Sequence, residues 1–382
     1  MNTLSEASVT FAISLLKLLG QDDPVRNVFF SPVSISSALG MVLLGAKGST
    51  AAQIVQVGLA SWAPSLAGGF DIHGGFQSLL TQVHKPGAPY SLSIANRLFG
   101  EESCQFLSPF QQSCLKFYQA ELEHLSFAKD PEMSRKHINA WVSTKTEGKI
   151  QELLDKNCID GACRMVLINA VYFKGSWKEQ FPKSDTEEMP FKINQEKEKQ
   201  VQMMFQTHTF PWSYVRELRA QILELPYKGQ ELSMVVVLPD KDVDLSTVEK
   251  ALTPEKFQTW TSPEHMRRIE ISVFLPRFKL EEKYNMASVM QHLGVVDVFD
   301  PGNADLSGML ANSDLCLSMF MHKSVVEVNE EGTEAAAATA DGFEYDCASE
   351  EQYFFCADRP FLFFIRHNKT NCLLFCGRFA SP

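Results

Sequence analysis

The chain has 382 residues, 45% of them hydrophobic and 21% charged, the proportions of a globular protein that can bury a large core. Its formal net charge of −11 excludes nucleic acid as the main partner, which would need a basic stripe. The densest cationic stretch, 192–199 (KINQEKEK), is interleaved with two glutamates and reads as a solvated turn.

In chain order, Phe11, Ala12, Leu15, Leu16 and Leu19 fall on one helical face, with Ser5 as N-cap and Gly20 as stop. Glu6 and the interruptions at Ser8, Thr10, Ser14 and Lys17 argue against a leader peptide. No apolar run is long enough to span a membrane. A short strand at 28–30 leads into Ser31-Pro32, where proline suits the first turn of a helix. Residues 61–76 (SWAPSLAGGFDIHGGF) read as a loop and 110–157 as helical, so the first 160 residues are expected to be mostly helix. Strand signals then dominate, as β-branched or aromatic runs at 165–173, 232–238, 269–275, 323–328 and 360–365. Ile269, Ile271 and Val273 alternate with Glu270 and Ser272, the pattern of a half-buried strand. Helices first and strands later predict an α+β fold. With no linker, repeat or charge block, residues 1–382 are expected to form one domain.

Nine cysteines at irregular spacing suggest neither a disulfide framework nor a zinc site; Cys372 and Cys376 lie in a strand-like run with no second pair to complete one. Free thiols point to a reducing compartment, so a cytoplasmic or nucleocytoplasmic protein is expected, without a membrane partner. There the sequon Asn368-Lys369-Thr370 would be silent.

One segment breaks the pattern. After the strand ending at Val328, some 20 residues run to the next strand, and their second half has no consistent apolar face. The alanines after Thr333 are the best helix formers, and composition alone favours a short helix capped by Thr333. The other reading is an exposed loop that can become a strand. Alternation then places Thr333, Ala335, Ala337, Thr339, Asp341 and Phe343 on one face, most of them small enough to bury, with Asp341 the misfit.

That segment, EEGTEAAAAT (330–339), resembles the hinge of inhibitory serpins. FCADRPFL (355–362) resembles the family's C-terminal signature, NAVYFKGSW (169–177) its central-strand motif, and NVFFSPVSI (27–35) the motif under its main sheet. The ending CGRFASP and the absent leader resemble the ovalbumin-type (clade B) intracellular branch, and within it the proteinase inhibitor 9 group, inhibitors of granzyme B. The resemblance implies a serpin fold: about nine helices, a large mixed main β-sheet with additional sheets, and an exposed reactive-centre loop at about 330–353. It also implies suicide-substrate inhibition of a protease by a monomer, without cofactor or metal. By the same resemblance Glu330, Glu331, Gly332, Thr333, Glu334, Ala335, Ala336, Ala337 and Ala338 form the hinge. Ser31, Ser34, Asn169 and His322 would form a hydrogen-bonded shutter, and Trp177 would sit where the loop enters. Read without the family, His322 is a surface histidine at a strand start and Trp177 is core packing.

Family spacing counts Gly332 as the fifteenth residue before the cut, which puts Asp346 before the reactive bond and Cys347 after it, with Phe343, Glu344 and Tyr345 leading in. Cleavage after Asp needs a cationic pocket in the protease. Granzyme B is the expected target and a caspase the alternative; a shift of one residue puts Tyr345 in the bait position and implies a chymotrypsin-like target, and Glu344 is a third candidate. As rival classes, an enzyme lacks support, since there is no Gly-x-Ser-x-Gly, His-Glu-x-x-His or phosphate-binding glycine loop. Asp346 and Glu350 would raise the thiol pKa of Cys347. The chain is therefore expected not to be an enzyme. A non-inhibitory serpin or plain protease substrate is disfavoured by the intact hinge but kept open by Asp341.

Overall fold

The computed structural model describes residues 2–58, 71–85, 87–310, 315–333 and 352–382. The first part of the chain forms α1 (Asn2–Gly20), β1 (Val28–Phe30), α2 (Pro32–Leu43), α3 (Gly48–Gly58), α4 (Ile72–Val83), β2 (Tyr90–Glu101), α5 (Ser108–Tyr118), β3 (Leu122–Leu125) and α6 (Pro131–Lys145). The middle forms β4 (Met165–Ser176), β5 (Glu187–Lys192), β6 (Glu198–Val215), β7 (Ala220–Pro226), β8 (Leu232–Pro239), α7 (Leu245–Ala251) and α8 (Pro254–Trp260). Then come β9 (Arg267–Pro276), β10 (Phe278–Asn285), α9 (Met286–Leu293), β11 (Met319–Asn329), β12 (Gly332–Thr333), β13 (Tyr353–Cys356), β14 (Phe361–His367) and β15 (Cys372–Phe379). Nine α-helices among the described residues and two sheets make the chain α+β, as its patterning predicts.

Local chemistry sets the helix ends that matter here. Ser31 caps α2: its side chain accepts the Ser34 N–H at 3.2 Å, and Pro32 occupies the first turn, where a missing N–H costs nothing. Residues Pro32 to Val42 are all buried, so α2 is covered on every side and runs beneath the sheets as a core helix, with Ser34, Ser36 and Ser37 among its buried residues.

One sheet follows the order β1-β15-β14-β8-β7-β6-β9-β13, with β5 paired to β6. The other, six-stranded, follows β10-β11-β12-β4-β2-β3 and is mixed: β11 and β4 are parallel, as are β2 and β3, while β2 and β10 pair antiparallel with β4 and β11. Strand β4 is covered on both faces. Val171 and Phe173 face an aromatic core with Phe29, while Val166, Ile168, Ala170 and Tyr172 face the cluster beneath α6. A strand buried on both faces reads as a continuous apolar run, which is why 165–173 was legible.

Four expectations fail. Residues 72–76 are not loop but the start of α4, because Ile72, Phe76, Leu79, Leu80 and Val83 make an apolar stripe that outweighs Gly74 and Gly75. The stretch 110–157 is not continuously helical: β3 interrupts it, and α6 ends at Lys145. The first 160 residues also hold the twelve-residue strand β2. Ser5, expected as an N-cap, lies inside α1, which already begins at Asn2.

Candidate functional site

The six-stranded sheet is open at one end, and β12 sits in the opening. Gly332 and Thr333 pair antiparallel with Asn329 and Val328 of β11 on one side and with Ser176 and Gly175 of β4 on the other. The turn that delivers them is held from several directions. The Asn329 side-chain oxygen accepts the N–H groups of Glu331 (3.1 Å) and Gly332 (3.2 Å). The Trp177 indole donates to the Asn329 carbonyl at 3.0 Å, and the Trp177 and Phe181 N–H groups donate to the Glu331 and Glu330 carbonyls, both at 2.9 Å. Glu330 is 5% exposed and accepts the Thr186 hydroxyl at 2.9 Å; Glu331 pairs with Lys183.

Gly332 has φ +144°, and a methyl group there would lie 2.2 Å from the Gly175 carbonyl oxygen and 2.6 Å from Ser176 Cα. Both are backbone atoms, so glycine is required by the close approach. Thr333 is fully buried, its hydroxyl 3.0 Å from that of Tyr227. Burial pushes the Tyr227 phenol well up, so it stays protonated, and the ring stacks on Trp177 at 4.6 Å.

Beyond Thr333 the opening closes. From Met319↔Val166 to Val326↔Phe173, β11 and β4 pair directly with each other in parallel. Where Asn169 of β4 faces His322 of β11, a polar network lies in the apolar core. Both residues are fully buried. His322 Nε2 accepts the Ser31 N–H at 3.3 Å, and its Nδ1 donates to Asn169 Oδ1. The Asn169 amide donates to Ser34 Oγ (2.6 Å), to the Ser34 carbonyl (3.2 Å) and to Asn96 Oδ1. The Asn96 amide donates to Ser37 Oγ at 2.7 Å, and the Ser37 hydroxyl to the Ser34 carbonyl at 2.8 Å. Desolvation drives the His322 pKa down to about 3, so the ring is neutral, and the Ser31 contact puts its single proton on Nδ1.

The structure therefore brings Ser31, Ser34, Asn169 and His322 into one network at the start of α2, and places Trp177, Glu330, Glu331, Gly332 and Thr333 together at the open end of the sheet. His322 is not a surface histidine: it lies inside β11 with zero exposure. Glu334, Ala335, Ala336, Ala337, Ala338, Phe343, Glu344, Tyr345, Asp346 and Cys347 lie outside the described residues. Sequence reasoning missed Asn96, Ser37 and Tyr227. For Asn96 a signal exists, since it breaks the alternating run Leu92, Ile94, Leu98 at an inward position of β2. All eight described cysteines are free thiols; burial pushes Cys372 up to about 11 and Cys376 well above the usual thiol value. Among the described residues no helix is long and apolar enough to cross a membrane.

The family model described as "Serpin (serine protease inhibitor)" matches residues 6–382. The chain is a serpin. It is 62% identical over 382 residues to Serpin B9 of Homo sapiens and 59% identical over 382 residues to Serpin B6 of Macaca fascicularis, in both cases across the whole of each chain. The leukocyte elastase inhibitor of Equus caballus is 49% identical over 386 residues, again over the full length of both. Among solved structures, uncleaved ovalbumin matches with a TM-score of 0.89 at 36% identity over 99% of this chain and 100% of that one. Maspin matches with a TM-score of 0.90 at 32% identity over 100% and 99%. The fold is thus the serpin fold, and the chain groups with the clade B, ovalbumin-type members. One expectation is corrected in kind. The bare negative, that the chain is not an enzyme, is replaced by the positive class in the family description: a serine protease inhibitor.

Proposed function

We propose that this serpin traps its target as a suicide substrate at the bond Asp346–Cys347, and that the target is a granzyme B-like serine protease. One observation carries the mechanism: a two-residue strand, Gly332–Thr333, already stands between β4 and β11 at the end where a longer strand would enter. In the trapping step the protease serine Oγ attacks the Asp346 carbonyl carbon. The peptide bond breaks, the Cys347 amine leaves with a proton, and an ester joins Asp346 to the protease. If the freed segment then extends β12 before water reaches the ester, the protease is carried off and deformed.

The register of β12 says what such a strand would meet. Continued from Thr333, Ala335 would stand opposite Phe173 and Val326, Thr339 opposite Asn169 and His322, and Asp341 opposite Leu167 and Phe320. Directly opposed residues share a face, so alanines would fill the space between large side chains and the Thr339 hydroxyl would face the polar network. Asp341 would face Leu167 and Phe320, both fully buried, and a carboxylate without a partner there is costly. Support for the target is the acid before the proposed bond, which needs a cationic pocket in the protease, together with the resemblance to the granzyme B inhibitor group. Free thiols at every described cysteine support a reducing, cytoplasmic setting.

The experiment is incubation with granzyme B, a caspase panel and chymotrypsin, followed by denaturing gel electrophoresis. The expected result is a covalent complex with granzyme B that is absent in Asp346→Ala. A complex with a caspase alone moves the target to the cysteine class. Cleavage at Asp346 without complex means a plain substrate, with Asp341 the cause to test. A complex with chymotrypsin at Tyr345 overturns the bait assignment.

A further inference from the structure

Strand β13 is the last strand, among the described residues, on its side of the larger sheet, and it pairs parallel with β9. Its alternation is clear. Phe355 is fully buried and lies opposite Val273, whereas Phe354 and Cys356 lie opposite Ser272 and Phe274 and point the other way. On that outer face Phe354 is 53% exposed, the most exposed phenylalanine in the described core-forming strands. It does not stand alone. In the adjoining row Phe274 packs on Phe205 of β6, directly opposite in register, with ring centroids 4.6 Å apart and both rings half-buried. In the row of Phe354 itself stand Ser272 and Thr207, whose hydroxyls meet at 2.9 Å. Glu270, Thr209 and Arg268 continue the same face as an exposed charged and polar margin. An aromatic centre with a polar rim is the composition of a protein-binding surface, and exposed Phe on an outer sheet face serves no core.

Its place in the chain says what covers it. Phe354 lies eight residues after Asp346. Eight residues reach at most about 29 Å when fully extended. A globular domain of about 200 residues is roughly 40 Å across. A protease seated on the bond Asp346–Cys347 is therefore tethered within its own diameter of Phe354.

We infer that the outer face formed by Phe354, Phe274 and Phe205 is a second contact for the target protease. It strengthens the encounter without touching the reactive bond. This inference rests on the proposed inhibitory reading. It assigns to Phe354 a role in docking and none in loop insertion, so the two roles separate kinetically. Docking sets the second-order association rate; insertion sets how many inhibitor molecules are consumed per protease trapped.

The test compares wild type, Phe354→Glu and Phe354→Leu against granzyme B, reading association rate, stoichiometry of inhibition and thermal midpoint. Phe354→Glu is expected to slow association about tenfold, the scale of a truncated aromatic hot spot, with stoichiometry and midpoint unchanged. Phe354→Leu, which keeps an apolar group, is expected to recover most of the rate. Cleavage by granzyme B of a free peptide spanning 340–350 supplies the rate without the second contact, and Phe354→Glu should bring the intact protein's association toward it. Association of Phe354→Glu within twofold of wild type overturns the inference, as does a slowing accompanied by raised stoichiometry, which would place Phe354 in insertion. Failure of wild type to form any complex overturns the functional reading instead, and this inference with it.

Discussion

Gly332 and His322 show how single residues hold the site in its present state. At Gly332 the backbone runs in a conformation that only glycine adopts freely, with the Gly175 carbonyl where a Cβ would be. Gly332→Ala must push β12 away from β4. The expected cost is about 1–3 kcal/mol, seen as a thermal midpoint lower by a few degrees; an unchanged midpoint would mean that β12 is not held between the strands. At His322 the effect is on pH. Its pKa is about 3 in the fold and about 6.5 in an unfolded chain, so below pH 6.5 the unfolded state binds a proton that the folded state refuses. Stability is then full above 6.5 and falls as pH drops toward 3, by about 1.4 kcal/mol per pH unit once well below 6.5. His322→Gln has no such titration. Its thermal midpoint should lie below wild type at pH 7.5, and the gap should narrow steadily by pH 5. A constant gap would mean that the imidazole is not held neutral.

At the scale of elements, the question is what β12 becomes. Thr333 is fully buried against Tyr227, so Thr333→Arg would set a cation beside the Trp177–Tyr227 stack, while the acids of the turn, Glu330 and Glu331, are already engaged by Thr186 and Lys183. The expected outcome is a variant cleaved by its protease as fast as wild type that yields cleaved protein and no covalent complex. Asp341→Ala should act in the opposite sense. Removing the acid that would face Leu167 and Phe320 is expected to lower the stoichiometry of inhibition toward one, read by titrating a fixed amount of granzyme B. No change would mean that the register does not continue from Thr333. These elements were unequally legible in the sequence. Strand β4 was plain because both of its faces are apolar, and the cap of α2 because Ser31-Pro32 is local chemistry. Strand β2 was hidden because Ala95 and Asn96 interrupt the alternation of Leu92, Ile94 and Leu98 with Ser91, Ser93 and Arg97, and Asn96 is polar for the sake of a network built from three distant segments. The alanines after Thr333 suit a helix as well as a strand, so local propensity could not decide between them.

At the scale of the whole molecule, the β11–β4 ladder must open for the loop to enter. The pairs from Met319↔Val166 to Val326↔Phe173 have to separate, and the Asn169–His322 contact with them. What would replace them on the proposed mechanism is larger: a strand that would pair on both sides and set alanines between Phe173, Val326, Val171 and Ser324. On that mechanism, the described structure, in which Gly332–Thr333 pairs with both β4 and β11, is the less stable of two arrangements of one sequence, and the segment between Thr333 and Tyr353 of β13 is kept from entering by the attachment of both its ends. Cutting between 334 and 351 removes that tie. About ten residues entering the sheet at about 1 kcal/mol net per hydrogen-bonded position give about 10 kcal/mol. At about 0.8 kcal/mol per degree for a chain of this length, the thermal midpoint rises by about 12 °C. The measurement is thermal unfolding of protein nicked within 334–351, with both pieces retained, against intact protein. Nicked Thr333→Arg should show no rise, because its segment cannot pass Tyr227. A nicked wild type that melts with the intact protein would mean that the loop stays outside the sheet after cleavage, and that the open end occupied by β12 is a resting place for the hinge and not an entrance.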